Sequence, residues 1–149
     1  MKNYEIERKY LVLTPPENLD VYPFHDIEQG YLCTSPVVRI RRQDNEYFLT
    51  YKSKGLMVRE EYNLPLTEEA YLHLRTKIDG LLISKRRYLI PYGSYTIELD
   101  CFRNPREGLL LAEVEFQSEE EALAFSAPDW FEEDVTCSSV YHNSNLSSL

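Results

Sequence analysis

Charged residues in this chain recur two positions apart, and the pairs are mostly of like sign. They run Glu5, Glu7 and Lys9, then Arg39 and Arg41, Lys52 and Lys54, Arg59 and Glu61, Lys85 and Arg87, Glu98 and Asp100, and Glu113 and Glu115. The chemistry that needs both signs in number is that of phosphate. Arg and Lys grip oxyanions, Arg in bidentate fashion. Carboxylates beside such an anion make sense only if they hold a hard divalent cation, Mg²⁺ or Mn²⁺, that bridges them to substrate oxygens. Phosphoryl transfer runs on positioning and charge neutralisation, so water oriented by metal or carboxylate can attack phosphorus with no nucleophilic side chain.

Spacing of two is the period of a β-strand, whose alternate side chains share one face. The positions between the charges are apolar: Ile6, Val38, Ile40, Leu49, Val58, Tyr88, Ile97, Leu99, Leu110, Val114 and Phe116. In a single strand such a charged face simply meets water. Across seven strands, like charges stacked in pairs would cost stability unless something of opposite sign lay between them.

Eight strands are expected, over 3–12, 27–33, 36–42, 46–54, 56–64, 81–90, 95–102 and 109–117, separated by turn signals such as Gln43-Asp44-Asn45, Lys54-Gly55 and Tyr92-Gly93-Ser94. Their mostly hairpin-length connections suggest an antiparallel meander. Eight antiparallel strands suffice to close a barrel whose lumen holds side chains or one small ligand. The fold class is therefore α+β, mainly β: a closed barrel with a charged lumen and an apolar exterior covered by a few helices. A dry lumen is excluded, because desolvating even paired ions costs several kcal/mol each. It should hold water, metal and an anionic ligand.

Three helices are expected outside the hairpins. One spans 67–77, with Thr67 as cap, Glu68 and Glu69 in its first turn, an apolar stripe of Ala70, Leu74 and Ile78, and Gly80 as its stop. A second opens at Ser118, with Glu121 completing a capping box, and ends before Pro128; a shorter one follows Pro16. The run Glu119-Glu120-Glu121 reads as a solvated first turn, and Trp130, Tyr31 and Tyr141 as packing residues. The Ser-rich stretch 138–149 reads as a capping tail.

At 149 residues the chain is expected to be a single domain that builds its own core. Three widely spaced cysteines and three scattered histidines show no disulfide framework and no zinc spacing. No apolar run approaches the roughly 20 residues of a membrane span, and the N-terminus lacks a secretory h-region, so a cytoplasmic location is expected. The net charge is −9, yet seven of the 25 acids and eight of the 16 bases fall on the charged face, leaving −10 for the remainder. A nucleic acid would meet a repelling exterior, whereas a compact polyanion could enter.

Glu5-Ile6-Glu7-Arg8-Lys9 resembles the ExExK signature of the CYTH, or triphosphate tunnel metalloenzyme, superfamily, and the later pairs follow in that family's order over nearly the whole chain. The resemblance implies an eight-stranded antiparallel tunnel. It implies metal ligation by Glu5, Glu7, Glu113 and Glu115, with Asp100 and Glu98. It implies a triphosphate grip by Lys9, Arg39, Arg41, Lys52, Lys85 and Arg87, with Lys54 and Arg59. Glu5, Glu7, Lys9, Lys52, Glu113 and Glu115 are the expected catalytic set, and Glu61 has a supporting role. Where the family often has RxExE, this chain reads Arg59-Glu60-Glu61-Tyr62-Asn63, which leaves Asn63 outside the ligand set. The short form of the chain is similar to inorganic triphosphatases, so Mg²⁺- or Mn²⁺-dependent hydrolysis of inorganic triphosphate is expected. The alternatives are a class IV adenylyl cyclase, a thiamine triphosphatase or a polyphosphate-binding module. Neither nucleic acid nor membrane is expected as a partner, and either a monomer or a homodimer is compatible.

Overall fold

The computed structural model describes residues 4–55, 57–141 and 146. All eight strands form: β1 (Tyr4–Leu11), β2 (Phe24–Thr34), β3 (Val37–Gln43), β4 (Glu46–Lys52), β5 (Val58–Pro65), β6 (Asp79–Tyr92), β7 (Tyr95–Asn104) and β8 (Leu110–Glu115). Every pairing is antiparallel, and the sheet closes on itself in the order β1-β5-β4-β3-β2-β6-β7-β8. This is not a plain meander. Two meanders, β2 to β5 and β6 to β8, join where β2 pairs with β6, and β1 closes the barrel between β5 and β8. Hairpin turns fix neighbours within a meander. The seating of β1 instead depends on contacts more than a hundred residues away in the chain, such as Glu7 opposite Glu115.

The helices cover the outside, as their caps dictate. Helix α1 (Glu68–Arg75) starts where the Thr67 hydroxyl accepts from the Ala70 amide, and α2 (Glu119–Ala124) where the Ser118 hydroxyl accepts from Glu121. Helix α1 ends earlier than expected, with the Thr76 hydroxyl donating to the His73 carbonyl, so Gly80 does not stop it. Gly80 sits at φ 72° inside β6. Tyr71, rather than the expected stripe, is the fully buried anchor of α1: it stacks on Tyr47 at 5.2 Å and donates to Glu28 at 2.7 Å. The segment after Pro16 forms only a 3₁₀ turn, Leu19–Val21, because Asn18 before it is left-handed at φ 59°.

The outward faces of β1, β7 and β8 pack beneath α2 and the segment following it. Ile97, Leu99, Ala112, Val114 and Ala122 are fully buried there. Phe125 is the hub of this layer, with Tyr10, Tyr92, Tyr95, Phe116 and Phe131 all within 6.3 Å of its ring. Trp130 packs edge-on against Phe131 at 4.7 Å in the same outer layer, so it is a packing residue.

The lumen is not charged from end to end. Following the inward row past the charges leads from Lys9 to Leu11, from Lys85 to Ile83, from Asp100 to Phe102, from Glu113 to Leu111 and from Arg39 to Val37. These side chains meet Tyr31, Val135 and Leu146 in one apolar cluster that fills that end of the barrel. The tunnel is blind there, and residues of the expected tail contribute to its plug. The remainder of that stretch, 142–145 and 147–149, lies outside the described residues.

Candidate active site

Above the plug lies a cavity of about 230 Å³ to which every strand contributes. Strand β1 supplies Glu5, Glu7 and Lys9; β2 supplies Tyr31; β3 supplies Val37, Arg39, Arg41 and Gln43; β4 supplies Lys52. Strand β5 gives Arg59, Glu61 and Asn63; β6 gives Arg87; β7 gives Glu98; β8 gives Glu113 and Glu115. Twelve expected site residues therefore share one cavity. Three do not. Lys54 lies past the end of β4, exposed in the turn that follows, because the ladder stops at Lys52 opposite Glu61. Lys85 and Asp100 sit behind the lining, each fully buried.

Asp100 is engaged by two buried cations. Lys85 Nζ donates to its Oδ2 at 2.6 Å, while Arg87 donates from Nε at 2.7 Å to Oδ1 and from Nη2 at 2.9 Å to Oδ2. Both carboxylate oxygens are thus occupied. Against the penalty of burial, these two cations keep the Asp100 carboxyl below its usual range. The guanidinium dominates the pair: Arg87 is pushed well above its ordinary value in spite of burial, whereas burial takes Lys85 down to about 7 even beside Asp100.

Signs segregate on the cavity wall. Because β1 is seated beside β8, Glu7 stands opposite Glu115 and Lys9 opposite Glu113, while Glu98 on β7 faces Glu113 from the other side. At two acids, Glu5 and Glu113, close cations prevail over burial. Lys52 Nζ lies 2.9 Å from both oxygens of Glu5 and outweighs burial there, holding that carboxyl down to about 2. Lys9 at 3.4 Å, with Arg87 and Lys85, overcomes burial to hold Glu113 well below the usual carboxylate range. The remainder have too little positive charge. Burial and the neighbouring Glu113 and Glu5 push Glu7 well above its ordinary value. Glu98 is raised by burial and Glu113 despite Arg87 at 3.3 Å, and Glu115, exposed at the open end, is raised to about 7 by desolvation and Glu5.

Arg39 and Arg41 on β3 have the opposite imbalance. Among the described residues no ion pair reaches either one. Arg39 donates to Thr50 at 3.3 Å, and Arg41 to the side chain of Gln29 at 2.8 Å. Burial, with Arg39 and Arg87 nearby, lowers Arg41 to about 9. Asn63 belongs to the supporting frame, donating to Glu61 at 2.9 Å, while Glu61 lies 3.4 Å from Lys52.

Tyr31, Gln29 and Gln43 escaped the sequence reading. Tyr31 was expected to be a packing residue, and it does belong to the plug, but it also lines the cavity. The like-charge pair of strand β2, Asp26 and Glu28, lies on its outward face, where Arg86 and Arg75 meet it, so the inward row of this strand carries no charge to mark it. The alternation Ile27, Gln29, Tyr31 was the remaining clue.

Among the described residues, no three carboxylate, histidine or cysteine side chains converge into a ready-made metal cage. The donor set nevertheless fits a hard cation. Glu7, Glu98 and Glu115 are acids that their surroundings fail to neutralise, and Mg²⁺ or Mn²⁺ commonly completes its octahedron with waters and substrate oxygens rather than with protein alone.

Comparison with known proteins agrees with this geometry. The profile of the CYTH domain matches residues 3–145. An inorganic triphosphatase of Nitrosomonas europaea is 41% identical over 148 residues, covering 95% of each chain. A second inorganic triphosphatase, from Acetivibrio thermocellus, is 35% identical over 123 residues, covering 79% of this chain and 77% of that protein. The crystal structure of an inorganic triphosphatase superposes with a TM-score of 0.71 at 37% identity, over 96% of this chain and 93% of that one. With the tunnel, its charged rows and these relatives in agreement, the chain belongs to the CYTH domain family.

Proposed function

We propose that this protein hydrolyses inorganic triphosphate to pyrophosphate and phosphate within the blind tunnel, with Mg²⁺ or Mn²⁺ as cofactor. The observation that carries the reading is the segregation of charge: uncompensated arginines on one wall and carboxylates short of positive charge on the other. A bound anion and a bound cation together complete both walls. Neither could do so alone.

Arg39 and Arg41 bind non-bridging oxygens directly, having no protein anion to give up. Lys9 and Lys52 exchange partners: each now rests on a carboxylate, Glu113 and Glu5, and each can turn to substrate as that carboxylate turns to metal. Arg87 faces the cavity with its position fixed from behind by Asp100. Arg59, 3.6 Å from Glu5, and Glu61 keep that carboxylate and Lys52 in place. The cation would be held by Glu5, Glu7, Glu98, Glu113 and Glu115, and when bound it neutralises substrate charge and acidifies a coordinated water. The plug limits depth, so a nucleoside or thiamine group would have to remain outside the open end. That is why the inorganic substrate ranks ahead of an adenylyl cyclase or thiamine triphosphatase reading.

No helix among the described residues is long and apolar enough to cross a membrane, and we read the protein as cytoplasmic and as acting on a small molecule rather than on nucleic acid. The test is phosphate release from inorganic triphosphate, ATP and thiamine triphosphate with Mg²⁺, with Mn²⁺ and with chelator. Metal-dependent release from inorganic triphosphate, far faster than from the other two, is the expected result. Preference for an organic triphosphate would move the function to that substrate, and tight binding without release would make the protein a polyphosphate-binding module.

A further inference from the structure

Gln29 is fully buried on β2, opposite Arg41 in the β2–β3 ladder and Ile83 in the β2–β6 ladder. Its Oε1 accepts from Arg41 Nε at 2.8 Å, which fixes the orientation of the amide, and its Nε2 has no hydrogen-bond partner. Among the described residues, Nε of Arg39, two positions along the same ladder, is a buried donor in the same condition. On grounds of stability alone this position invites glutamate. The isosteric carboxylate would give Arg41 a charge-assisted bond, relieve its repulsion with Arg39 and Arg87, and remove the orphaned donor. Arg87, on the neighbouring strand β6, is held in that way by Asp100.

We propose that Gln29 is a positioning residue for substrate: it anchors the Arg41 guanidinium through a neutral acceptor, so that Arg41 is held in place with its full positive charge left for a phosphate group. A carboxylate in its place would act as a built-in competitor of the anion. This proposal rests on the reading of the tunnel as a triphosphate site. It adds that the acceptor behind Arg41 must be uncharged.

The test compares the wild type with Gln29→Glu and Gln29→Met, measuring thermal stability, kcat and KM for inorganic triphosphate, and triphosphate binding in chelator. Gln29→Glu is expected to melt at the same temperature or higher while KM rises at least tenfold and kcat changes less than threefold. Gln29→Met, which removes the acceptor without adding charge, is expected to raise KM several-fold. A residue that merely filled space would lower stability and leave KM alone. KM within twofold of the wild type in both variants overturns the proposal, and so does a Gln29→Glu variant that binds triphosphate in chelator as tightly as the wild type. Failure of the wild-type protein to bind or cleave triphosphate would instead defeat the functional reading itself.

Discussion

Asp100→Asn separates two roles that sequence alone would assign to the same residue. As a metal ligand, Asp100 would matter mainly to the loaded enzyme; as the buried counter-ion of Lys85 and Arg87, it matters to the fold itself. The structure favours the second role, with contacts of 2.6, 2.7 and 2.9 Å and no exposure of the carboxylate or of Lys85. Removing one partner of a buried ion pair typically costs about 3–5 kcal/mol, since the remaining charge is left without water or counter-ion. Asparagine keeps the shape and one acceptor oxygen, and Lys85 can shed its proton, so the lower end of that range, about 3 kcal/mol, is expected. For a domain of this size that corresponds to a fall in Tm of about 6–12 °C. Guanidinium unfolding followed by circular dichroism, at pH 7 in chelator so that metal plays no part, measures it. A variant within about 1 kcal/mol of the wild type, whose metal-dependent turnover is nonetheless abolished, would refute the argument and return Asp100 to the metal.

Glu7, Glu98 and Glu115 bind their protons more tightly in the folded protein than the usual carboxylate does, so folding takes up protons as pH rises from the ordinary carboxylate range through about 7. Stability in chelator should therefore fall between pH 5 and pH 7, by about 1 kcal/mol from the solvent-screened Glu115 alone, and Mg²⁺ should restore more of it at pH 7 than at pH 5. Melting scans read this, and stability that rises over the window contradicts it. Arg41→Gln removes a partly buried cation that has no ion pair among the described residues, so Tm should hold or increase while KM for triphosphate rises at least tenfold. Steady-state kinetics with a melting curve decide it, and an unchanged KM would remove Arg41 from the binding set. Lys54→Ala should leave kcat/KM within twofold, because the side chain is exposed beyond the end of β4; a tenfold loss would mean that the loop folds over the tunnel mouth with substrate bound.

Alternation, capping and charge are local properties, and what depends on them was legible in the sequence. The chain shows eight strands, the face of each that carries charge, and the Thr67 and Ser118 starts of two helices, because each follows from neighbours one to four residues apart. Twelve of the fifteen expected site residues line one cavity for the same reason. Alternation tells which side of a strand a residue faces, but not how deep in the barrel it lies. Depth is set by the stagger between strands when the sheet closes. That stagger sinks Lys85 and Asp100 behind the lining, leaves Lys54 past the end of its ladder and carries Leu11, Ile83, Phe102 and Leu111 into a plug. The seating of β1 between β5 and β8 likewise brings Glu7 and Lys9 against Glu115 and Glu113 through pairings more than a hundred residues long in sequence. The sequence alone determined the strands, the helix starts and the charged rows; only the closed barrel decided which of those charges meet, which are balanced and which remain open to a ligand.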